Sequence, residues 1–202
     1  MVMTKRCLTL NKPKMTVIAG TNGAGKSTFI NKPILRGGGY IIDPDAIAKT
    51  LIPKTPEKAR LQAGRISIQL IDQMIRECES FVMETTLSGR LPFIQMKQAK
   101  ENGFEIVIHF IGLDHLKRHI QRVRERVQMG GHDIPVEDII RRYDRSQQNL
   151  REAAKLADQV MLWDNTYAAR DLVEIRDQEL IFVAEELPGW AKAFIAYWKE
   201  NA

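Results

Sequence analysis

Apolar positions along this chain follow two periods that take turns. Short strand-like runs fall at Met15–Ala19, Tyr40–Ile42, Phe81–Met83, Glu105–Leu113, Val160–Trp163, Asp171–Ile175 and Leu180–Val183. Helical spacing fills the intervals, over 26–35, 45–51, 57–77, 91–101, 114–129, 136–157 and 189–199. Apolar strands separated by amphipathic helices predict an α/β fold, a mainly parallel sheet flanked by helices. No repeat, linker or low-complexity tract divides residues 1–202, so one domain is expected. The alternation breaks once, where two helices between 114 and 157 are joined by Gly130-Gly131-His132-Asp133-Ile134-Pro135 with no strand between them. A helical pair carried outside the sheet suits a lid. Asp177-Gln178 marks a hairpin between the last two strands, and Trp190, Phe194 and Trp198 give the C-terminal helix a face to pack on the sheet.

Composition narrows the classes. With 202 residues and 44% hydrophobic residues the chain is long and apolar enough for a buried core, which excludes disorder. The net charge of +5 suits nucleic acid, a nucleotide or another phosphorylated small molecule equally. No apolar stretch approaches the ~18 residues of a membrane span, and the N-terminus lacks the apolar core of a signal peptide. Cys7 and Cys78 are far apart and without metal or redox spacing. Two lone thiols argue against a disulfide framework and fit a reducing cytoplasm.

The strongest chemical signal is Gly20-Thr21-Asn22-Gly23-Ala24-Gly25-Lys26-Ser27, a complete G-x-x-x-x-G-K-[ST] after a predicted strand and opening a helix. Glycines allow consecutive N–H groups to turn inward on phosphate oxygens, and a helix N-terminus adds partial positive charge. Lys26 should reach the β- and γ-phosphates of ATP, and the Ser27 hydroxyl should ligate Mg²⁺. Gly20, Asn22, Gly23, Ala24, Gly25 and Thr28 complete the cradle. No N-K-x-D segment or Asp-x-x-Gly after a strand appears, and the length leaves no room for a transport ATPase or helicase core. A compact phosphotransferase of nucleotide-kinase type remains, a P-loop NTPase with a helical lid insertion.

Further segments carry a family resemblance. The phosphate loop with Thr28, Ile-Asp-Pro-Asp-Ala-Ile-Ala (42–48), Glu-Thr-Thr-Leu-Ser-Gly (84–89), Arg-Val-Gln-Met-Gly-Gly-His-Asp-Ile-Pro (126–135), Arg-Arg-Tyr-Asp-Arg-Ser (141–146) and Trp-Asp-Asn (163–165) resemble the zeta toxin family of P-loop kinases, over about residues 15–166. The resemblance implies an ATP-dependent kinase that phosphorylates the 3′-hydroxyl of UDP-N-acetylglucosamine and so poisons peptidoglycan synthesis. Family toxins are held inactive by a small protein covering the ATP site, which raises an antitoxin as a candidate partner.

Phosphoryl transfer requires a positioned hydroxyl, a base for its proton, and cations around the moving group. Asp43 and Asp45 straddle Pro44 at the end of strand 40–42 and face the phosphate loop if those strands are neighbours. Read from the residues alone, Asp45 is either a helix cap or the base. The resemblance aligns the family base with Asp45, with Asp43 as fallback. Glu84 ends a strand and is followed by hydroxyl residues; it can hold a Mg²⁺ water, hold a substrate hydroxyl, or cap the next helix. By resemblance Glu84 and Thr86 contact substrate, although Leu87-Ser88 stand where some toxins place a basic contact.

On the lid, Leu116, Ile120, Val123 and Val127 form one stripe, flanked by Arg122 and Arg126, while Arg118 points away. On its second helix Ile139, Tyr143, Leu150 and Ala157 make the buried face, with Arg142 beside it and Arg141 outward. Such arginines either turn over a phosphate or form a solvated salt-bridged face. The family has two catalytic lid arginines: Arg126 matches the first, with Arg122 next best, and the second corresponds to His132 or Arg142. Asn165 falls where related kinases hold adenine, though Asp-Asn is also turn chemistry. His109 reads as a satisfied core histidine. The alternatives are a kinase of another metabolite and a nucleotide-gated nucleic-acid-binding protein. The latter is disfavoured because only Tyr143 lies among the lid arginines to stack on bases.

Overall fold

The computed structural model describes Cys7 and residues 12–32, 39–131 and 133–201. His132 and the end of the helix expected over 26–35 lie outside them. Seven strands form one sheet in the order β2-β3-β1-β4-β5-β6-β7: β1 Lys14–Ala19, β2 Tyr40–Ile42, β3 Phe81–Thr85, β4 Glu105–Gly112, β5 Gln159–Asp164, β6 Arg170–Arg176 and β7 Glu179–Val183. The first five run parallel, β6 is antiparallel to β5, and β7, antiparallel to β6, returns to the direction of the first five. The central strands are unbroken apolar runs because helices cover both faces: β1 is buried after Lys14 and β4 after Glu105. The β6–β7 hairpin turns on Asp177 and Gln178, both at positive φ.

The helices are α1 Lys26–Ile30, α2 Pro44–Leu51, α3 Arg60–Glu77, α4 Leu91–Glu101, α5 Leu116–Gln128, α6 Val136–Leu156 and α7 Gly189–Asn201, with a 3-10 turn Pro56–Ala59 before α3. Helix α7 buries Trp190, Phe194 and Trp198 in the main core, where truncating such a ring to alanine costs about 3–5 kcal/mol. The lid has a small core of its own, Val123, Ile134 and Ile139 packed with Leu116, Ile120 and Val127. It is not wholly outside the sheet, because Leu150, Ala153 and Ala154 of α6 join the main core. That second half anchors the lid.

One condition and one expectation are not met. Strand β2 is not the neighbour of β1; β3 lies between them. The cysteines, read as lone thiols, form a Cys7–Cys78 disulfide with Cα atoms 5.7 Å apart. Cys7 is held by its N–H to the carbonyl of Asn102 after α4, and Cys78 ends α3 in a left-handed turn before β3. The fold thus closes a separation of 71 residues at the end of the sheet where β1 and β3 begin, and the cysteine-based expectation of a reducing compartment loses its support. Among the described residues no helix is long and apolar enough to cross a membrane.

Candidate active site

The carboxyl ends of β1, β3 and β4 open where successive connections leave in opposite directions, the place where α/β sheets gather ligands. The loop from Gly20 to Gly25 bridges β1 and α1 there. Gly23 and Gly25 sit at φ 80° and 91°. A Cβ on Gly23 would lie 2.6 Å from the His119 carbonyl oxygen, and one on Gly25 would lie 2.3 Å from Asn165 Nδ2. Only glycine fits either place.

The loop is tied down by groups distant in sequence. Asn165 Nδ2 donates to the Ala24 carbonyl at 2.8 Å. Arg122 donates to the carbonyls of Asn165 and Thr166, both at 2.8 Å. The turn presenting Asn165 is fixed by buried Asp164, which accepts from the Thr166 N–H and from Arg170. Arg142 donates to Asn22 Oδ1 at 3.0 Å and lies 3.8 Å from Asp138. The lid therefore grips the loop directly.

Lys26 is buried, with Nζ 3.6 Å from Glu84 Oε1, while the Ser27 hydroxyl donates to Glu84 Oε2 at 3.1 Å. Burial pushes the Glu84 pKa up; Lys26 and the Ser27 bond oppose this, and Asp43 and Asp45 add to it. Lys26, Ser27 and Glu84 thus form one cluster.

The helix cap falls on Asp43 and not on Asp45. Pro44 begins α2, so Asp43 is its N-cap and accepts the Asp45 N–H at 2.8 Å. The cap role expected of Asp45 belongs to Asp43. Asp45 lines all three cavities around the loop. One, ≈ 300 Å³, also has Asn22, Lys26, Glu84, Thr86, Ser88 and Arg142. The second, ≈ 200 Å³, has Gly23, Gly25, Ser27, Thr28, Arg122 and Arg126. The third, ≈ 290 Å³, opens between α2 and the lid past Lys49, Arg60, Arg126 and Gly131. Although β3 intervenes, α2 brings both aspartates to the phosphate loop.

Thr86 shares a hydrogen bond with Ser88 at 2.8 Å. Between them Leu87 is fully buried at φ 55°, its carbonyl accepting from Asn149. Gly20 packs against the Ile111 carbonyl at the end of β4. His109 is a core residue, as expected, with Nδ1 accepting from Trp163 Nε1 at 3.2 Å and burial lowering its pKa to about 4. Among the described residues no group of three His, Cys, Asp or Glu side chains is arranged to hold a metal by itself. The oxygen donors of Ser27 and Glu84 nevertheless suit a nucleotide-borne Mg²⁺.

Sequence reasoning missed two residues. Asp164 organises the turn that carries Asn165, and His119 touches the loop with both backbone and ring. The available signal for His119 was a polar residue on an otherwise apolar helical stripe between Leu116 and Val123.

Comparison with known proteins agrees with this geometry. The zeta toxin family model matches residues 2–174, and the chain belongs to that family. An uncharacterized protein of Haemophilus influenzae is 38% identical over 141 residues, 69% of this chain and 98% of that protein. The crystal structure of AvrRxo1-ORF1 with AvrRxo1-ORF2 and sulphate ions superposes with a TM-score of 0.70 at 13% identity, covering 95% of this chain. This chain spans 65% of that one's length. The PezAT toxin–antitoxin system of Streptococcus pneumoniae gives a TM-score of 0.61 at 17% identity, over 98% of this chain and 89% of the other. The fold is that of P-loop kinases, a mostly parallel sheet with flanking helices.

Proposed function

We propose that this member of the zeta toxin family transfers the γ-phosphoryl group of Mg²⁺–ATP to a hydroxyl of a sugar nucleotide, the 3′-hydroxyl of UDP-N-acetylglucosamine. One observation carries the reading: Asp45, relieved of capping by Asp43, lies where the phosphate-loop cavity meets the cavity lined by Glu84, Thr86 and Ser88. A base there borders both the nucleotide phosphates and an acceptor.

In this mechanism the loop amides and Lys26 hold the triphosphate. Asp45 accepts the acceptor's hydroxyl proton as that oxygen attacks the γ-phosphorus. Glu84 and Thr86 orient the acceptor, and Arg126 and Arg142 neutralise the charge that spreads over the moving group. Ser27 would hold Mg²⁺, which would supply positive charge against the phosphates. Arg122 and Asn165 brace the loop, and Asn165 also borders the place given to adenine. His132 is the alternative second cation.

The basic lid supports this reading over nucleic-acid binding, because Arg118, Arg122 and Arg141 are bonded within the protein. AvrRxo1-ORF1 and the PezAT proteins were determined as or with their two-protein systems. By analogy an antitoxin would cover the ATP site of this protein.

The test is incubation with Mg²⁺–ATP and UDP-N-acetylglucosamine, read by mass spectrometry, with Lys26→Ala as the control. A phosphorylated sugar nucleotide from the wild type alone is expected. Turnover of another acceptor in a metabolite screen, with none of this product, moves the activity to a different metabolite kinase.

A further inference from the structure

His119 stands in the first turns of α5, 1% exposed, and nothing in the proposed reaction uses it. Its Nδ1 lies 2.9 Å from the carbonyl oxygen of Asn22, in the middle of the phosphate loop. A carbonyl only accepts, so Nδ1 carries the proton and donates. Its own carbonyl fills the space a side chain on Gly23 would need, and its ring meets the Tyr143 ring edge-on with centroids 5.4 Å apart.

With Nδ1 protonated, Nε2 is left as an acceptor, buried and without a partner among the described residues. Across the fold, Trp190 Nε1–H is a buried donor in the same condition. Both residues line one small cavity of ≈ 10 Å³, walled also by Thr21, Gly112, Tyr143 and Gln147. That space is about one water molecule. A buried donor and a buried acceptor on two residues that line a one-water cavity are complementary: a water there would accept from tryptophan and donate to histidine. Each unmade bond would otherwise cost about 1–3 kcal/mol.

We propose that His119 is a positioning residue of the phosphate loop, locked as the Nδ1–H tautomer by a buried water that bridges its Nε2 to Trp190 Nε1–H. The bridge links α7, which lies beyond the family-matched residues 2–174, to the Asn22 carbonyl. Asn22 is thereby fixed at two points, its backbone by α5 and its side chain by Arg142 of α6. Both lid helices then set the direction of the loop amides. Burial, reinforced by Lys26 and Arg122 against the opposing Asn22 bond and Asp114, lowers the His119 pKa to about 4, which agrees with a ring that stays neutral.

Nitrogen-15 NMR of the full chain with labelled histidine, free of nucleotide, reads the tautomer. His119 is expected protonated at Nδ1 and bare at Nε2 across about pH 5–8, and protonation at Nε2 or a midpoint near the ordinary ~6.5 overturns the assignment. The asymmetric pair His119→Asn and His119→Gln separates positioning from packing, since asparagine places an N–H near Nδ1 and glutamine near Nε2. Calorimetry with a non-hydrolysable ATP analogue should find H119N within about threefold of wild type and H119Q about tenfold weaker, the loss of one buried hydrogen bond. Equal affinities for the two variants overturn the positioning role. Should neither fold, Trp190→Phe removes the donor and keeps a ring: the His119 resonances must then shift, and unchanged resonances overturn the bridge. A high-resolution crystal structure with a dry cavity does the same. The proposal serves the kinase reading, yet tautomer and water are read without substrate, so either can fail alone.

Discussion

The two cavities that meet at Asp45 are built by opposite means. On the nucleotide side, Asn22 and Ala24 are held by Arg142, Asn165 and His119, partners 97 to 141 residues away in sequence. On the acceptor side the bonds are mostly local: Asp43 accepts the Asp45 N–H, Thr85 Oγ1 accepts the Leu87 N–H, and Thr86 meets Ser88, each two residues apart, with one distant tie from Asn149 to the Leu87 carbonyl. Long-range ties make the loop answerable to the whole fold, so a change there disturbs several elements at once. Local ties let the acceptor wall be remodelled with less disturbance to the rest of the fold. The phosphate grip is accordingly the more constrained half of the site, and the acceptor wall its more adjustable half.

The largest effect that would break this comparison is at the junction. Asp45→Asn keeps the size and the α2 backbone but removes the base. It should lower kcat by about 10²–10⁴ with nucleotide affinity unchanged. Asp43→Asn, by contrast, keeps a good N-cap and should lose only a few tenths of a kcal/mol of stability, or about that. If the two variants exchange these outcomes in steady-state kinetics, Asp43 is the base.

Gly25→Ala tests the nucleotide side. Its methyl meets Asn165 and its φ is left-handed, so strain of about 1–3 kcal/mol should weaken calorimetric ATP binding about 10- to 100-fold. Adding Asn165→Ala removes the obstructing amide and should recover part of that loss. No recovery would mean that backbone strain, not the clash, is decisive. On the acceptor side Ser88→Ala should change only the acceptor KM, by about three- to tenfold, as one hydrogen bond would. An equal change in the KM for ATP would erase the distinction between the two sides.

This asymmetry also explains what sequence could show. The phosphate loop is legible because its function is written in eight consecutive residues between a strand and a helix. The lid core is legible because Leu116, Ile120, Val123 and Val127 keep helical spacing. Strand order is not, since nothing in Tyr40–Ile42 says that β3 will lie between it and β1. The roles of Asp43 and Asp45 turned on where α2 begins. Pro44, favoured at the first helical position, held that information, and it moves the cap from one aspartate to the other. The Cys7–Cys78 pairing and the His119–Asn22 bond arise only once distant elements pack, so spacing carried no trace of them.

Glu84 gives the smallest effect and the sharpest sign. It stands on the seam, bonded to Lys26 and Ser27 on one side and facing Asp43 and Asp45 on the other. Desolvation outweighs Lys26, so its pKa is raised above the ordinary 4.5. The folded protein then holds this proton more tightly than the unfolded chain, and the Glu84 contribution to stability falls as pH rises from that ordinary value through the raised one. Glu84→Gln keeps an acceptor for the Ser27 hydroxyl and removes the buried charge. The variant should therefore match wild-type stability below pH 4.5 and exceed it at neutral pH, as measured by urea denaturation at both. Its turnover should nevertheless fall. Lower stability than wild type at neutral pH would mean that Lys26 more than compensates the buried carboxylate, and that Glu84 is held for the fold; higher stability with lost turnover would mark it as a charge kept for the reaction at the expense of the fold.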